Sequence, residues 1–298
     1  MRPPSLEWQV FRGSAAVASG LLTAHQLRGR GWVRLRHDVY ADSRLPVDHA
    51  LLCRATLARL PPDSAVLAGP SAAVAHGVVS AAGPGDPVQL ILRADRRVGR
   101  QTGTVLHRVP LDGDDLCRVP LAGGSTSVLA TVPARTAWDA TVWLPMPDAV
   151  ALADSLLFRR LVTPGSLHAV VARLADRPGG RRAGHTLSLV DGRAASRAES
   201  MLRIGLFLAG LPAGVARPPL FAAAPCLAWP EFRVALFLTP APTGEAVRID
   251  DGWLVLRLAP QTSFSEVVRQ VRAALTGRGW RNARKQDVVE SALSSTMR

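Results

Sequence analysis

The strongest periodicity lies near the end of the chain. Phe264, Val267, Val268, Val271, Ala274 and Leu275 recur at steps of three and four, with Arg269, Gln270 and Arg272 on the opposite side. That spacing predicts an amphipathic helix, and Ser263 and Glu266 are placed as a capping box at its start. A second such pair, Ser196 and Glu199, opens a run that is apolar almost all round (Met201, Leu202, Ile204, Leu206, Phe207, Leu208) and stops at Gly210. A helix with no polar face is a buried helix. Between the two, residues 226–229 and 232–238 predict paired strands turning at Pro230 and Glu231, and residues 253–258 predict a third. The order from 196 to 280 is then helix, three strands, helix.

Upstream the pattern is shorter in period. Residues 14–19 predict a small helix ended by Gly20, and Thr23 caps a second over 24–30, which Gly31 ends. Two short helices on a tight turn suggest a helix-turn-helix. In residues 32–40, Val33, Leu35 and His37 alternate with Arg34 and Arg36, which reads as a strand with one basic face, like a wing. Residues 48–60 predict an amphipathic helix stopped by Pro61 and Pro62, and 71–77 a helix of small residues. Residues 88–92 and 104–109 read as strands, joined by a basic turn carrying Arg93, Arg96, Arg97 and Arg100. A helix starts near Pro133, others span 148–161 and 165–176 (Thr163 as cap, Pro164 first), and a flexible basic turn over 178–182 precedes a short apolar helix at 185–190. The expected divisions are 1–47, 48–147, a helical connection over 148–195, 196–280, and a frayed basic tail over 281–298. The expected fold class is α/β in the broad sense, α+β overall.

Composition narrows the chemistry. The chain has 298 residues, 48% of them apolar, enough for two or three cored domains. No apolar run approaches the roughly 20 residues of a membrane span, and no apolar core follows Arg2, so a signal peptide and a membrane partner are not expected and the protein is placed in the cytoplasm. Cys53, Cys117 and Cys226 lie far apart with no CxxC, and the seven histidines form no HxxxH pair, so neither a disulfide framework nor a zinc site is expected. The net charge of +13 is almost wholly arginine, since Lys285 is the only lysine. One reading is the arginine-rich composition of a GC-rich genome; the other is a polyanionic partner, whose phosphates such a field attracts. Arginines recur in groups, at 93–100, at 177–182 and at 278–284. For the segment of Arg93, Arg96, Arg97 and Arg100, phosphate contact and a solvated hairpin tip are equally good accounts. Neither GxSxG nor a phosphate-cradling GxxxxGK[ST] occurs. His76 reads as a core or turn histidine, and Asp139, distant in sequence from other acids, as structural.

Two resemblances bear on function. Gly20-Leu21-Leu22-Thr23, Gln26-Leu27-Arg28 and Val39-Tyr40-Ala41 resemble the N-terminal winged-helix domain of AbiEi-type antitoxins of actinobacteria, and residues 67–77 with 131–139 resemble the small α+β unit that follows it. A full winged helix carries a recognition helix before the wing, for which little chain is present here. The resemblance therefore implies phosphate contacts by Arg28, Arg30, Arg34 and Arg36 more than base reading. Residues 196–257 resemble the endonuclease-related domain, similar to very-short-patch-repair nucleases of the restriction-endonuclease-like fold, that closes many such proteins. That family holds a divalent metal on a helix glutamate, a strand aspartate and a strand glutamate. Glu199 keeps the first position, Cys226 stands at the second and Phe237 at the third, while Gly252, Trp253 and Arg257 match. One carboxylate does not hold Mg²⁺, so a pseudonuclease with no cofactor is expected, with DNA and a protein such as a toxin as partners. The alternatives are a nuclease whose Mg²⁺ site is rebuilt from Glu231, Glu245, Asp250 or Asp251, and a protein-interaction module.

Overall fold

A computed structural model of the chain describes residues 2–93, 101–121, 127–219, 225–238, 247–248 and 252–281. The fold is α+β, and the chain divides into two units, Met1–Ser188 and Leu189–Arg298.

The first unit begins with β1 (Val10–Arg12), α1 (Gly13–Ala18), β2 (Trp32–Arg36) and β3 (Val39–Asp42). The strands form an antiparallel sheet in the order β1-β3-β2, whose centre buries Val39 and Ala41 completely. β1 was not expected, because its three residues follow a Pro-containing start and carry no alternation. Two expectations need correction. The helix over 24–30 is one 3-10 turn, Gln26–Arg28, clamped by reciprocal bonds between Thr23 and Gln26 (Thr23 N to Gln26 Oε1, 2.7 Å; Gln26 N to Thr23 Oγ1, 3.2 Å). Only Leu27 of that segment reaches the small core of Leu6, Ala16 and Leu22, and one apolar contact does not sustain a helix. The single strand over 32–40 is a hairpin: Asp38 takes φ +59°, and its carboxylate accepts from Ser14 N at 2.7 Å and Ser14 Oγ at 2.6 Å. Aspartate tolerates this left-handed turn because its short side chain bonds locally.

The middle of the unit is a mixed sheet in the order β6-β5-β4-β8-β7. Helix α2 (His49–Leu57), capped by Asp48 accepting from Leu51 N at 2.7 Å, leads to β4 (Ala65–Leu67), α3 (Gly69–Ala75), β5 (Val88–Leu92) and β6 (Thr104–His107). β7 (Leu116–Pro120) and β8 (Ser127–Thr131) complete it. β5 and β6 pair in parallel, Val88 opposite Thr104 through Ile91 opposite His107. Two strands joined by a hairpin must be antiparallel, so β5 and β6 are not the hairpin expected; residues 94–100 between them lie outside the described residues. β7 and β8 were not read from the sequence; Arg118 and Pro120 interrupt the first, and the second lies central only by its parallel contact, Leu67 to Ala130. The core holds Leu67, Val88, Leu90 and Ala130, all fully buried. Each such side chain stabilises by about 1.5–3 kcal/mol for the larger residues.

Four helices follow: α4 (Pro133–Trp143), α5 (Met146–Phe158), α6 (Pro164–Arg173) and α7 (Gly180–Ser188). Trp138 of α4, Val170 of α6, Leu174 just after α6 and Ala183 of α7 form one core. Of the basic turn expected over 178–182, Pro178 and Gly179 turn, while Gly180, Arg181 and Arg182 open α7. Gly179 turns at φ +90°, and a Cβ on Gly180 would stand 2.0 Å from the Ala175 carbonyl oxygen. This glycine pair lets α7 begin close to the end of α6, which moves the helix start five residues upstream of its apolar sequence signal at 185.

The second unit runs through α8 (Arg197–Leu208), β9 (Val215–Ala216), β10 (Leu227–Trp229), β11 (Val234–Leu238), β12 (Val247–Arg248), β13 (Leu254–Leu258) and α9 (Phe264–Gly277). The predicted helix–strands–helix order is present, with two short strands added at the edges of the sheet β12-β13-β11-β10-β9. β10 and β11 are antiparallel and β11 and β13 parallel. α9 buries Val267, Val271, Ala274 and Leu275 of its predicted stripe in the core with Leu227, Leu236 and Leu256, with Val268 partly buried and Phe264 exposed at the head of the helix.

Candidate functional site

The arginines predicted to meet phosphate separate into distinct settings. Arg28 ends the 3-10 turn and Arg30 follows it, both exposed. Arg34 is exposed on β2 and faces a basin of about 590 Å³ lined by Arg12, Ser14, Arg34, His37, Asp38, Tyr40 and Arg59. Among the described residues none of Arg28, Arg30 and Arg34 has a polar partner. Arg36 departs from expectation. A bulge between Arg34 and Arg36 breaks the alternation that would set them on one face. The Arg36 guanidinium lies inward, donating to the carbonyls of Leu35 at 3.2 Å and Gly103 at 3.4 Å, and its Nε is buried without a partner. Burial lowers its pKa, and repulsion from Arg59 adds to that. Arg36 is thus half-buried, with its guanidinium held by backbone carbonyls, and is less free than Arg34. Arg93 is exposed at the end of β5, beside a separate cavity of about 740 Å³ that it shares with Leu111, Asp112 and Leu116. Arg96, Arg97 and Arg100 lie outside the described residues.

In the second unit the remnant of the acidic site is compensated. Glu199 sits in the first turn of α8, where its amide donates to Ser196 Oγ at 3.2 Å. Its carboxylate accepts from Ala195 N at 2.9 Å and from Arg217 Nη1 at 3.2 Å. The bond to Ala195 lies one residue before the cap, so the capping interaction is displaced from its predicted form. Cys226 is buried beside them, and burial, followed by the charge of Glu199, pushes its thiol up to about 12, with Arg217 opposing. A neutral thiol and one arginine-paired carboxylate carry no surplus negative charge for a hard divalent cation. Phe237 lies on the opposite side of the sheet with Ala228, Ala235 and Val255, under the Arg257 guanidinium at 5.5 Å from its ring centre. The two substituted positions thus do not face a common centre. Glu231 is exposed in the 3-10 turn Pro230–Phe232; Glu245, Asp250 and Asp251 lie outside the described residues. Among the described residues, no three His, Cys, Asp or Glu side chains stand together as a metal-holding group.

The densest buried chemistry was not visible in the sequence. Arg135, 2% exposed, donates Nε–H to Asp139 Oδ1 at 2.8 Å and Nη1–H to Asp115 Oδ2 at 2.7 Å, and both acids are wholly buried. Arg173 bonds the other oxygen of Asp115 and reaches Asp112 at 3.1 Å. Burial opposes ionisation of Asp115, but its bonds from Arg173 and the Asp112 amide and the nearby Arg135 hold it below the usual range. Asp139 has only Arg135, and burial pushes it up to about 7. Asp139 is therefore structural, but it stands within the field of Asp115, far away in sequence. His76 also plays a structural part: its Nε2 donates to the Thr131 carbonyl at 2.8 Å. A second buried pair, His49 Nε2 with Ser71 Oγ at 2.8 Å, has the spacing of a nucleophile and base. Ser71 is wholly buried and also accepts from Gln89 N at 2.9 Å, so it ties α2, α3 and β5 together and offers no hydroxyl to solvent.

No family model matches the chain, and no curated protein matches it. Among solved structures, the chain is similar to the RV2827C protein from Mycobacterium tuberculosis, at 19% identity and a TM-score of 0.42, over 88% of this chain and 89% of that one. No helix of the described residues is long and apolar enough to cross a membrane.

Proposed function

We propose that this protein is a non-catalytic, nucleic-acid-associated regulator of the AbiEi-antitoxin-like kind, acting in the cytoplasm, with a nuclease-derived second unit that serves as scaffold. One observation carries the reading: three arginines of the first unit, Arg28, Arg30 and Arg34, stand exposed with no polar partner among the described residues, while the acid retained in the second unit is neutralised by Arg217. Unpaired guanidiniums on a surface of net charge +13 suit phosphate contact. A single 3-10 turn in place of a recognition helix favours binding that follows backbone charge more than base sequence. The winged-helix and endonuclease-like resemblances support the same reading, which carries with it a protein partner such as a toxin. The test is duplex DNA incubated with Mg²⁺ or Mn²⁺, with wild type beside Glu199→Ala. Binding without cleavage in both is expected. Cleavage that Glu199→Ala abolishes overturns the non-catalytic reading, and absence of binding at low salt overturns the nucleic-acid reading.

A further inference from the structure

The basin beside the β2–β3 hairpin differs from the rest of the basic surface in being concave and in gathering its cations from separate elements. Arg12 comes from β1, Arg34 from β2, His37 from the hairpin turn and Arg59 from just beyond α2, with Ser14 and Tyr40 completing the wall. The Tyr40 ring lies so close against the start of α1 that a Cβ on Gly13 would stand 2.6 Å from it. One carboxylate, Asp38, faces the basin, and it is already engaged by Ser14 N, Ser14 Oγ and Arg12 Nε, the last at 3.2 Å. Asp38 therefore offsets Arg12 and leaves two positive charges. Arg34 has no polar partner among the described residues, and Arg59 has only the Gln101 side-chain oxygen at 3.4 Å. Arg36, behind them, is close enough to Arg59 for the two to repel. Like charges held together are destabilising until an anion intervenes.

We propose that this basin is a pocket for a phosphate monoester, held by the guanidiniums of Arg34 and Arg59 with Arg12 and Ser14 beside them. A monoester carries a charge near −2 at neutral pH and three acceptor oxygens, matching two guanidiniums, Arg34 and Arg59, that have no carboxylate partner among the described residues, whereas a backbone diester carries one charge and runs on at both ends. The ligand has two sources: the 5′-phosphorylated end of a nucleic-acid strand, or a free nucleotide. The first rests on the nucleic-acid function proposed above; the second does not.

The experiment compares a short 3′-labelled single strand bearing a 5′-phosphate with the same strand bearing a 5′-hydroxyl, by fluorescence anisotropy, alongside calorimetry with AMP and with adenosine. The phosphorylated strand is expected to bind about tenfold more tightly, as charge-assisted bonds to one group allow. Arg59→Gln and, separately, Arg34→Gln should reduce that preference to within about twofold. The wild-type comparison needs no variant, so a misfolded substitution does not leave the question open. AMP binding with adenosine silent, and no strand binding, supports the pocket with a free nucleotide and overturns the nucleic-acid function. Equal affinity for the two strands, with AMP silent, overturns the pocket and leaves the nucleic-acid function standing.

Discussion

Replacing Arg135 by methionine removes the cation on which two buried carboxylates depend. Methionine fills a similar length without charge, so the loss is mainly electrostatic. Asp115 keeps Arg173, but Asp139 loses its one named partner; its Oδ2 is already buried without one. Breaking a buried pair from one side costs about 3–5 kcal/mol, a large share of the roughly 5–15 kcal/mol that holds a domain folded. The pH dependence distinguishes this mechanism from simple loss of packing. In the wild type Asp139 titrates near 7 when folded and near about 3.9 when unfolded. The folded state binds that proton more tightly, so its stabilising effect is full below about pH 4, declines on the way up and is gone above 7. Without Arg135 the folded carboxyl titrates higher still. The penalty of the substitution should therefore be level below pH 7 and grow by about 1.4 kcal/mol for each pH unit above it. Urea unfolding at pH 6 and pH 8.5, followed by the fluorescence of the seven tryptophans, among them Trp138, over whose ring Arg135 stands at 5.3 Å, measures both quantities. Adding Asp139→Asn should abolish the growth above pH 7. A penalty under about 1 kcal/mol, or one identical at the two pH values, would refute the reasoning.

Three further outcomes follow from the buried groups. His107, stacked on Trp143 at 3.5 Å, is lowered by burial to about 4; since the unfolded chain protonates near 6.5, it contributes stability that is lost as pH falls from about 6.5 to 4. An NMR titration midpoint of His107 near the ordinary value contradicts this. The Cys226 thiol, pushed up to about 12, should alkylate with iodoacetamide at pH 8 at least about a hundredfold more slowly than a free thiol of pKa about 8.5; mass spectrometry after timed labelling decides. Gly180→Ala drives a Cβ to 2.0 Å from a backbone oxygen and should cost about 2 kcal/mol or more. Gly85→Ala meets nothing within 4 Å and should stay within about 0.5 kcal/mol; equal effects in denaturant melts would argue against the packing described for α6 and α7.

What the sequence made legible was whatever had long apolar period or a cap. α9 announced itself through its stripe and Ser263, α8 through its apolar run and Ser196, although α8 is not buried all round, Leu208 being 53% exposed; the hairpin of β10 and β11 showed in two apolar runs around Pro230. Elements defined by non-local pairing were hidden. β1, β7 and β8 are short, and only their neighbours in the sheet make them strands. The parallel pairing of β5 with β6 leaves no mark in the residues between them, which is why a hairpin was the natural expectation. In the site, the alternation of Arg34 with Arg36 was visible, but the bulge that separates them was not. The contribution of Arg12 and Arg59 to the basin, and of Asp115 and Arg173 to the buried network, depends on chain segments meeting in space. For Glu199 the Ser196 cap was legible, but the bond of its carboxylate to Ala195 and the countercharge of Arg217 are not revealed by sequence spacing.

The central claim is that exposed arginines of the first unit meet nucleic-acid phosphates. Its most direct test is duplex affinity across a salt series for wild type and for the combined Arg28→Gln, Arg30→Gln and Arg34→Gln variant. Each phosphate contact contributes about −0.9 to the slope of log affinity against log salt. The wild type should therefore show a negative slope, and the variant should bind more weakly with its slope flattened by about 2.7. A slope unchanged by the three substitutions, or a wild-type affinity that ignores salt, would contradict the account.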